Sequence, residues 1–253
     1  MLGLAVLLGV LGAVMGSFVS VAAHRVPRKE SIVGGRSKCP HCGEQIAAYD
    51  NIPIVSYVIL RGRCRHCGAR ISPRYPLVEL ALAILYPVTY LVLEPDAAEV
   101  ALGVVFVTML ATITLTDLER RVIPNSVLIA GAVAGIAIAV PTDPDDISER
   151  AIAAAAAGGF LLVAALAYSG GMGMGDVKLG VVMGLYLGRA VAAALLVGFA
   201  AGAVVGVALL LRYGASARKR AVPFGPFLAL GGVVGLLVGD ELVDWYLDTF
   251  FRG

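Results

Sequence analysis

Residues 101–125 read ALGVVFVTMLATITLTDLERRVIPN. From Ala101 to Thr116 there is neither a charge nor a proline, and with the three preceding residues this makes an apolar run over 98–116. A run of that length crosses the hydrocarbon of a bilayer as a helix. Asp117 closes it, and Pro124 opens the next apolar run. The same pattern recurs along the chain, at 2–23, 77–93, 125–140, 151–169, 177–187, 190–211 and 223–239. The reading is therefore an all-α polytopic membrane protein with about eight transmembrane helices.

Composition agrees. Of 253 residues, 59% are hydrophobic and 15% charged, and the mean hydropathy is +0.87, whereas charged residues approach a quarter of a soluble domain. A membrane β-barrel is excluded, because it needs many short alternating segments and these runs are long and rich in Ala, Leu, Val and Gly. The net charge of +2 gives no basic surface for a nucleic acid. Membrane lipid is the expected surrounding, and the sequence sets no oligomeric state.

The placement of charge sets the topology. Ten of the 20 Lys and Arg fall between Arg25 and Arg74, and four more between Arg212 and Arg220. Glu94, Asp96 and Glu99 form one acidic gap, and Asp143, Asp145, Asp146 and Glu149 another. The positive-inside rule puts 24–76 and 212–220 in the cytoplasm, the acidic gaps outside, and both termini outside. Val21-Ala22-Ala23 resembles a signal-peptide cleavage site, but no basic region precedes the run and the positive charge follows it. The expected organisation is a first transmembrane helix over 1–23, a cytoplasmic four-cysteine domain over 24–76 and a transmembrane domain over 77–253.

All four cysteines lie in the first loop, as Cys39-Pro40-His41-Cys42-Gly43 and Cys64-Arg65-His66-Cys67-Gly68. These are two copies of one knuckle, 21 residues apart. Two residues between thiolates let one turn present both sulfurs, and the glycine relaxes the backbone after each pair, so Cys39, Cys42, Cys64 and Cys67 read as a tetrahedral Zn²⁺ site in a small ribbon-like domain. Two disulfides are the alternative, and the reducing cytosol argues against them. Four sulfurs leave no open position, so such a zinc is structural. His41 and His66 read as solvated knuckle residues.

Two polar stretches interrupt the apolar part, Thr116 to Asn125 and Gly170-Gly171-Met172-Gly173-Met174-Gly175-Asp176-Val177-Lys178. Asp117 and Asp176 thus sit at helix ends on the same side of the membrane. Asp176 could simply cap its helix, and Asp117 could be a solvated interfacial residue. The glycines before Asp176 argue for more, since open backbone at membrane depth must line protein or a water-filled cavity. Two such carboxyls sharing a proton can run aspartyl proteolysis, one activating water and the other polarising the scissile carbonyl.

Gly173 to Asp176 with Lys178, Asp117 to Pro124, Gly16 to Val21 running to Arg25 and Pro27, Tyr49 to Pro53, Arg74-Tyr75-Pro76 through Glu79, and Pro223-Phe224-Gly225-Pro226 form a set, and by this set the chain resembles the bacterial type IV prepilin peptidases. These motifs cover nearly the whole chain in the family's order. The resemblance implies an inner-membrane aspartic endopeptidase with Asp117 and Asp176 as the catalytic pair. Its substrates would be type IV prepilins or type II secretion pseudopilins, cut on the cytoplasmic side. Members with the cysteine domain also N-methylate the new terminus with S-adenosylmethionine, and archaeal preflagellin peptidases lack that domain. Ser20 departs from the family's usual Asn, and no Rossmann fingerprint marks a site for the cofactor. Lys178 reads as a snorkelling interfacial residue or as a holder of substrate or of the pair's charge, and Pro223 to Pro226 as packing at a helix entry.

The competing class is a transporter or channel whose membrane carboxylates carry ions. It calls for midplane carboxylates and commonly a repeated half, whereas both aspartates sit at one edge and neither motif recurs. A noncatalytic scaffold leaves the glycine loop without a purpose.

The topology is tested with reporter fusions. A reporter in 24–76 or 212–220 should read cytoplasmic and one after Arg252 external; a cytoplasmic carboxyl terminus contradicts the eight-span arrangement.

Overall fold

The structure is a computed structural model and describes residues 2–32, 34, 37–94, 96–167, 172–214 and 222–251. These form nine α-helices and, among the described residues, no strand. Among the described residues, seven stretches are long and apolar enough to cross a membrane. Eight runs are expected from hydropathy; the sixth and seventh fall in one stretch, Met174–Tyr213, 40 residues long. Gly188, at φ 51°, breaks that stretch into two helices, since this left-handed backbone is accessible to glycine at little cost.

By contact the chain divides into two compact units, Met1–Glu94 and Pro95–Gly253. In the first, α1 (Leu2–Arg25) lies antiparallel to α3 (Arg74–Leu93). The seam pairs Gly9 with Ala83 and Pro87, Gly12 with Leu82, and Gly16 with Glu79. Lipid gives no hydrophobic drive between apolar helices, so close backbone approach through small residues holds such a pair. The connecting loop carries two 3₁₀ turns, Val26–Arg28 and Ala48–Asn51, and the short α2 (Val55–Ile59). Isolated bridges pair Lys38 with Gln45 and Arg63 with Arg70.

The second unit is a bundle of α4 (Ala97–Arg120), α5 (Asn125–Thr142), α6 (Ile147–Ala167), α7 (Met174–Leu187), α8 (Val191–Tyr213) and α9 (Gly225–Phe250). Phe106, Leu110, Ile113, Leu161, Leu179, Met183 and Leu228 fill its core. Phe106 stacks on Tyr186 with ring centroids 4.8 Å apart, and the Tyr186 hydroxyl donates to the Gly131 carbonyl at 2.6 Å. α7 runs antiparallel to α6, Gly184 lying on Ala154 and Gly180 on Leu161; α8 runs antiparallel to α9, Ala190 facing Gly239 and Ala194 facing Gly235.

α7 has only 14 residues, about 21 Å at 1.5 Å per residue, against roughly 30 Å of hydrocarbon. Its shallow end is met by charged groups from neighbouring helices. Buried Arg150 donates to the Tyr186 carbonyl at 2.8 Å and to Glu99 at 2.6 Å. The Arg189 N–H donates to Glu149 at 3.1 Å, while its guanidinium binds Asp240 and Asp244. Eighteen residues along α4, from Glu99 to Asp117, put about 27 Å between this end of the bundle and the other.

The α1–α3 seam gives a stability test. A Cβ at Gly16 would come 2.5 Å from the Glu79 Cα, whereas one at Gly3 would meet nothing within 4 Å. Gly16→Val should destabilise the first unit by about 1–3 kcal/mol in thermal unfolding of the micelle-purified protein, and Gly3→Val should leave the transition unmoved.

Candidate active site

α4 runs past the end of its apolar stretch to Arg120, so Asp117 stands in the last turn of the helix and not beyond it. The turn closes by the N–H of Arg121, in left-handed conformation at φ 55°, donating to the Asp117 carbonyl at 2.8 Å. The Asp117 residue is 6% exposed, and its Oδ2 accepts the N–H of Gly225 at 2.8 Å. Gly225 opens α9, so a carboxylate at the end of one helix meets an unsatisfied N–H at the start of another. A Cβ on residue 225 would stand 2.7 Å from that oxygen, which is why glycine is required there. The stretch Pro223 to Pro226, expected to serve in packing, thus supplies a hydrogen bond to the site.

Asp176 is 8% exposed and is the third residue of α7, behind Gly173 as the N-cap. Its Oδ2 accepts the Gly173 N–H at 3.0 Å. This is the carboxylate half of a capping box; glycine has no side chain to supply the other half. The capping role is therefore real, and it fixes the side chain at the helix start. Gly175 lies against Ile123, its added Cβ 3.0 Å from the Ile123 Cβ, so the Asp117–Pro124 and Gly173–Asp176 stretches meet. The two carboxyls interact electrostatically. Among the described residues neither Oδ1 accepts a hydrogen bond, which leaves one oxygen on each for a proton, a water or a substrate.

Lys178 is turned to another partner: its Nζ donates to Asn125 Oδ1 at 3.0 Å, tying α7 to the start of α5. Gly170 and Gly171 of the glycine stretch, with Arg218, Lys219 and Arg220 of the basic loop, lie outside the described residues.

In the first unit the sulfurs of Cys39, Cys42, Cys64 and Cys67 lie within 4.8 Å of one another. Cys39 and Cys67 Sγ are 3.8 Å apart and no cysteine is in a disulfide. Metal–sulfur bonds of about 2.3 Å in a tetrahedron set sulfurs roughly 3.8 Å apart, so the cage fits a tetrahedral ion. The two knuckles repeat each other bond for bond. The N–H of Gly43 donates to the Cys39 carbonyl at 2.9 Å and that of Gly68 to the Cys64 carbonyl at 3.0 Å. Both glycines are left-handed, at φ 74° and 69°, a conformation costly for other residues. The N–H groups of Cys42 and His41 hold the Cys39 thiol down at about 7, and those of Cys67 and His66 lower Cys64. Both histidines are exposed.

Arg65, inside the second knuckle, makes a two-pronged pair with Asp50 at 2.6 and 2.7 Å. The guanidinium holds the Asp50 carboxyl below its usual range. The tie is therefore complete above the ordinary carboxylate range and is lost as pH falls through the lowered value.

A cavity of about 450 Å³ opens in the same unit. Ser17, Ser20 and Glu79 line it from α1 and α3, and Ile54 and Tyr57 from the loop. Glu79, met in the sequence only as the end of a motif, is 8% exposed and accepts the Ile54 N–H at 2.7 Å. Ile54 is left-handed, at φ 63°, an outlier for a β-branched residue.

Residues 10–93 match the family model described as Bacterial Peptidase A24 N-terminal domain, and residues 104–210 that of the Type IV leader peptidase family. The chain is 35% identical over 243 residues to the prepilin leader peptidase/N-methyltransferase of Bacillus subtilis, covering 95% of this chain and 97% of the relative. It is 32% identical over 268 residues to the enzyme of the same name from Aeromonas hydrophila, covering 93% and 91%. The Myxococcus xanthus enzyme of that name is 40% identical over 218 residues, covering 83% of this chain and 64% of the relative. No solved structure matches.

The cysteine cage predicts about one metal ion per purified chain. Elemental analysis should find that Cys39→Ser with Cys64→Ser, which takes one ligand from each knuckle, removes it; full occupancy in the double variant would rule the cage out.

Proposed function

The chain belongs to the prepilin leader peptidase/N-methyltransferase family, and from that membership we propose that it is an aspartic endopeptidase that removes the leader of type IV prepilins or type II secretion pseudopilins. Asp117 and Asp176 are its catalytic pair. The observation that carries this reading is two buried carboxyls at one end of the bundle, each with one oxygen held by a backbone N–H. Close carboxyls share a proton, because ionising both is costly. The ionised partner takes a proton from water as it attacks the scissile carbonyl, and the protonated partner hydrogen-bonds the carbonyl oxygen. The departing amine then receives the proton, and the pair returns to its starting state.

The active end faces the cytoplasm of the inner membrane. Support for this is the charge bias of the loops, with the opposite end of the bundle bearing Glu99, Glu149, Asp240 and Asp244. Lys178 secures α7 to α5 through Asn125 and takes no part in proton transfer. Zinc in the four-cysteine cage folds the loop and does no chemistry, since four sulfurs fill its coordination. N-methylation of the new terminus follows cleavage; S-adenosylmethionine supplies the methyl group, the amine losing a proton as the sulfonium becomes a thioether. Edge-placed carboxylates do not suit an ion path, which needs groups near the midplane.

Asp117→Asn and Asp176→Asn each keep an oxygen for the backbone N–H and remove the acid. Either should lower cleavage of a co-expressed prepilin by about 10²–10⁴-fold or more, with insertion and melting unchanged. The double variant should be no worse than either single one, as expected of groups acting as a unit. The cleavage rate should follow pH through two apparent values belonging to the pair. Wild-type cleavage by well-folded Asp176→Asn would remove the assigned mechanism.

A further inference from the structure

We propose that the cavity of the first unit is the seat of the sulfonium methyl donor, with Glu79 facing its positive charge; this rests on reading the chain as a methyltransferase. The cavity's volume of about 450 Å³ lies in the range of roughly 300–1,000 Å³ typical of small-molecule sites. Its wall carries an unusual group. Glu79 is buried, yet the hydrogen bond it accepts comes from a neutral donor, the Ile54 N–H, and Ser17 stands with it in the lining. It has no salt-bridge partner among the described residues. Buried charges are ordinarily paired, so the site is built for a ligand that brings a cation.

The rest of the lining chooses between cations. Arg25, Lys38, Arg65 and Arg70 line the same cavity against Glu44 and Asp50, with Arg65 and Asp50 satisfying each other, an excess of positive charge around Glu79 that disfavours a basic leader peptide. It suits a ligand that joins an inner cation to an outer carboxylate, as an amino-acid sulfonium does. Tyr57, also in the lining, supplies an aromatic ring of the kind an adenine stacks on. The left-handed Ile54, held by the Glu79 bond, fixes the loop against the helix that carries the carboxylate.

The test is calorimetric titration of full-length protein in micelles with S-adenosylmethionine and, separately, S-adenosylhomocysteine, which lacks the sulfonium charge. Glu79→Gln keeps an oxygen for the Ile54 N–H and removes the charge. It should weaken the sulfonium by about tenfold or more and the thioether by far less, as expected for loss of a buried charge contact. Ser17→Leu, which fills the cavity, should weaken both. Metal content and melting temperature check the fold of each variant. Wild-type affinity for the sulfonium in both variants would place the donor elsewhere and overturn the proposal, leaving the methyltransferase reading intact. Failure of the wild-type protein to bind either compound would overturn both, while the peptidase assignment stands on its own cleavage assay.

Discussion

Hydrocarbon offers no hydrogen bond, so every polar group of a membrane bundle must find its partner within the protein. The two aspartates are arranged by this constraint. Asp117 is held where α4 ends by the first N–H of α9, and Asp176 where α7 begins by the N–H of its own N-cap. In each case a helix terminus that would be a liability in lipid becomes the fixed support of a carboxylate. The same constraint governs the opposite end, where Arg150 satisfies the Tyr186 carbonyl and is itself neutralised by Glu99. α4 carries a member of each set, Glu99 and Asp117, so one stiff helix connects the polar ends of the bundle.

The first unit solves a different problem. Its helix pair has little to bury in the way of large side chains and relies on backbone contact at Gly12 and Gly16. Among the described residues its loop has no extended sheet, and two isolated bridges lie beside the two knuckles. Order in so small a segment comes from the four-sulfur cage, the Arg65–Asp50 pair and the Glu79–Ile54 bond. An exposed ion pair contributes little by itself; its worth lies in fastening one knuckle to the turn at Tyr49 and Asp50.

Hydropathy made the helices legible because the apolar runs are long and the charges lie between them. The cysteines were legible as well, since two copies of one knuckle in a loop placed in the reducing cytosol point to a shared cage. The two aspartates stood out as charges at the edges of apolar runs, but the N–H that braces Asp117 lies 108 residues away in sequence. The one local sign of it was a glycine between two prolines, a pattern that also reads as a plain helix entry. Seven stretches stand for eight runs because the corner between the sixth and seventh, Gly188–Ala190, is so short that both helices fall in one stretch, Met174–Tyr213. Arg189 is the charge at which the sequence divides the two runs, and the positive φ of Gly188 beside it does the turning. Arg150 and Glu99 read as loop charges because they flank their runs, and only the fold brings them together across 51 residues.

The shortness of α7 bears on how the chain enters the bilayer. Fourteen residues that include Asp176 and Lys178 are too few and too polar to partition by themselves during synthesis. Joined to α8 they form a 40-residue stretch whose 18-residue apolar window has a mean hydropathy of 2.6, and the tight corner at Gly188 lets the two legs partition together as a helical hairpin. α8 thus brings with it a partner that would otherwise remain at the surface, and the acidic side chain never has to enter lipid alone. The Asp176 carboxyl depends for its delivery on the apolarity of a helix that does not carry it.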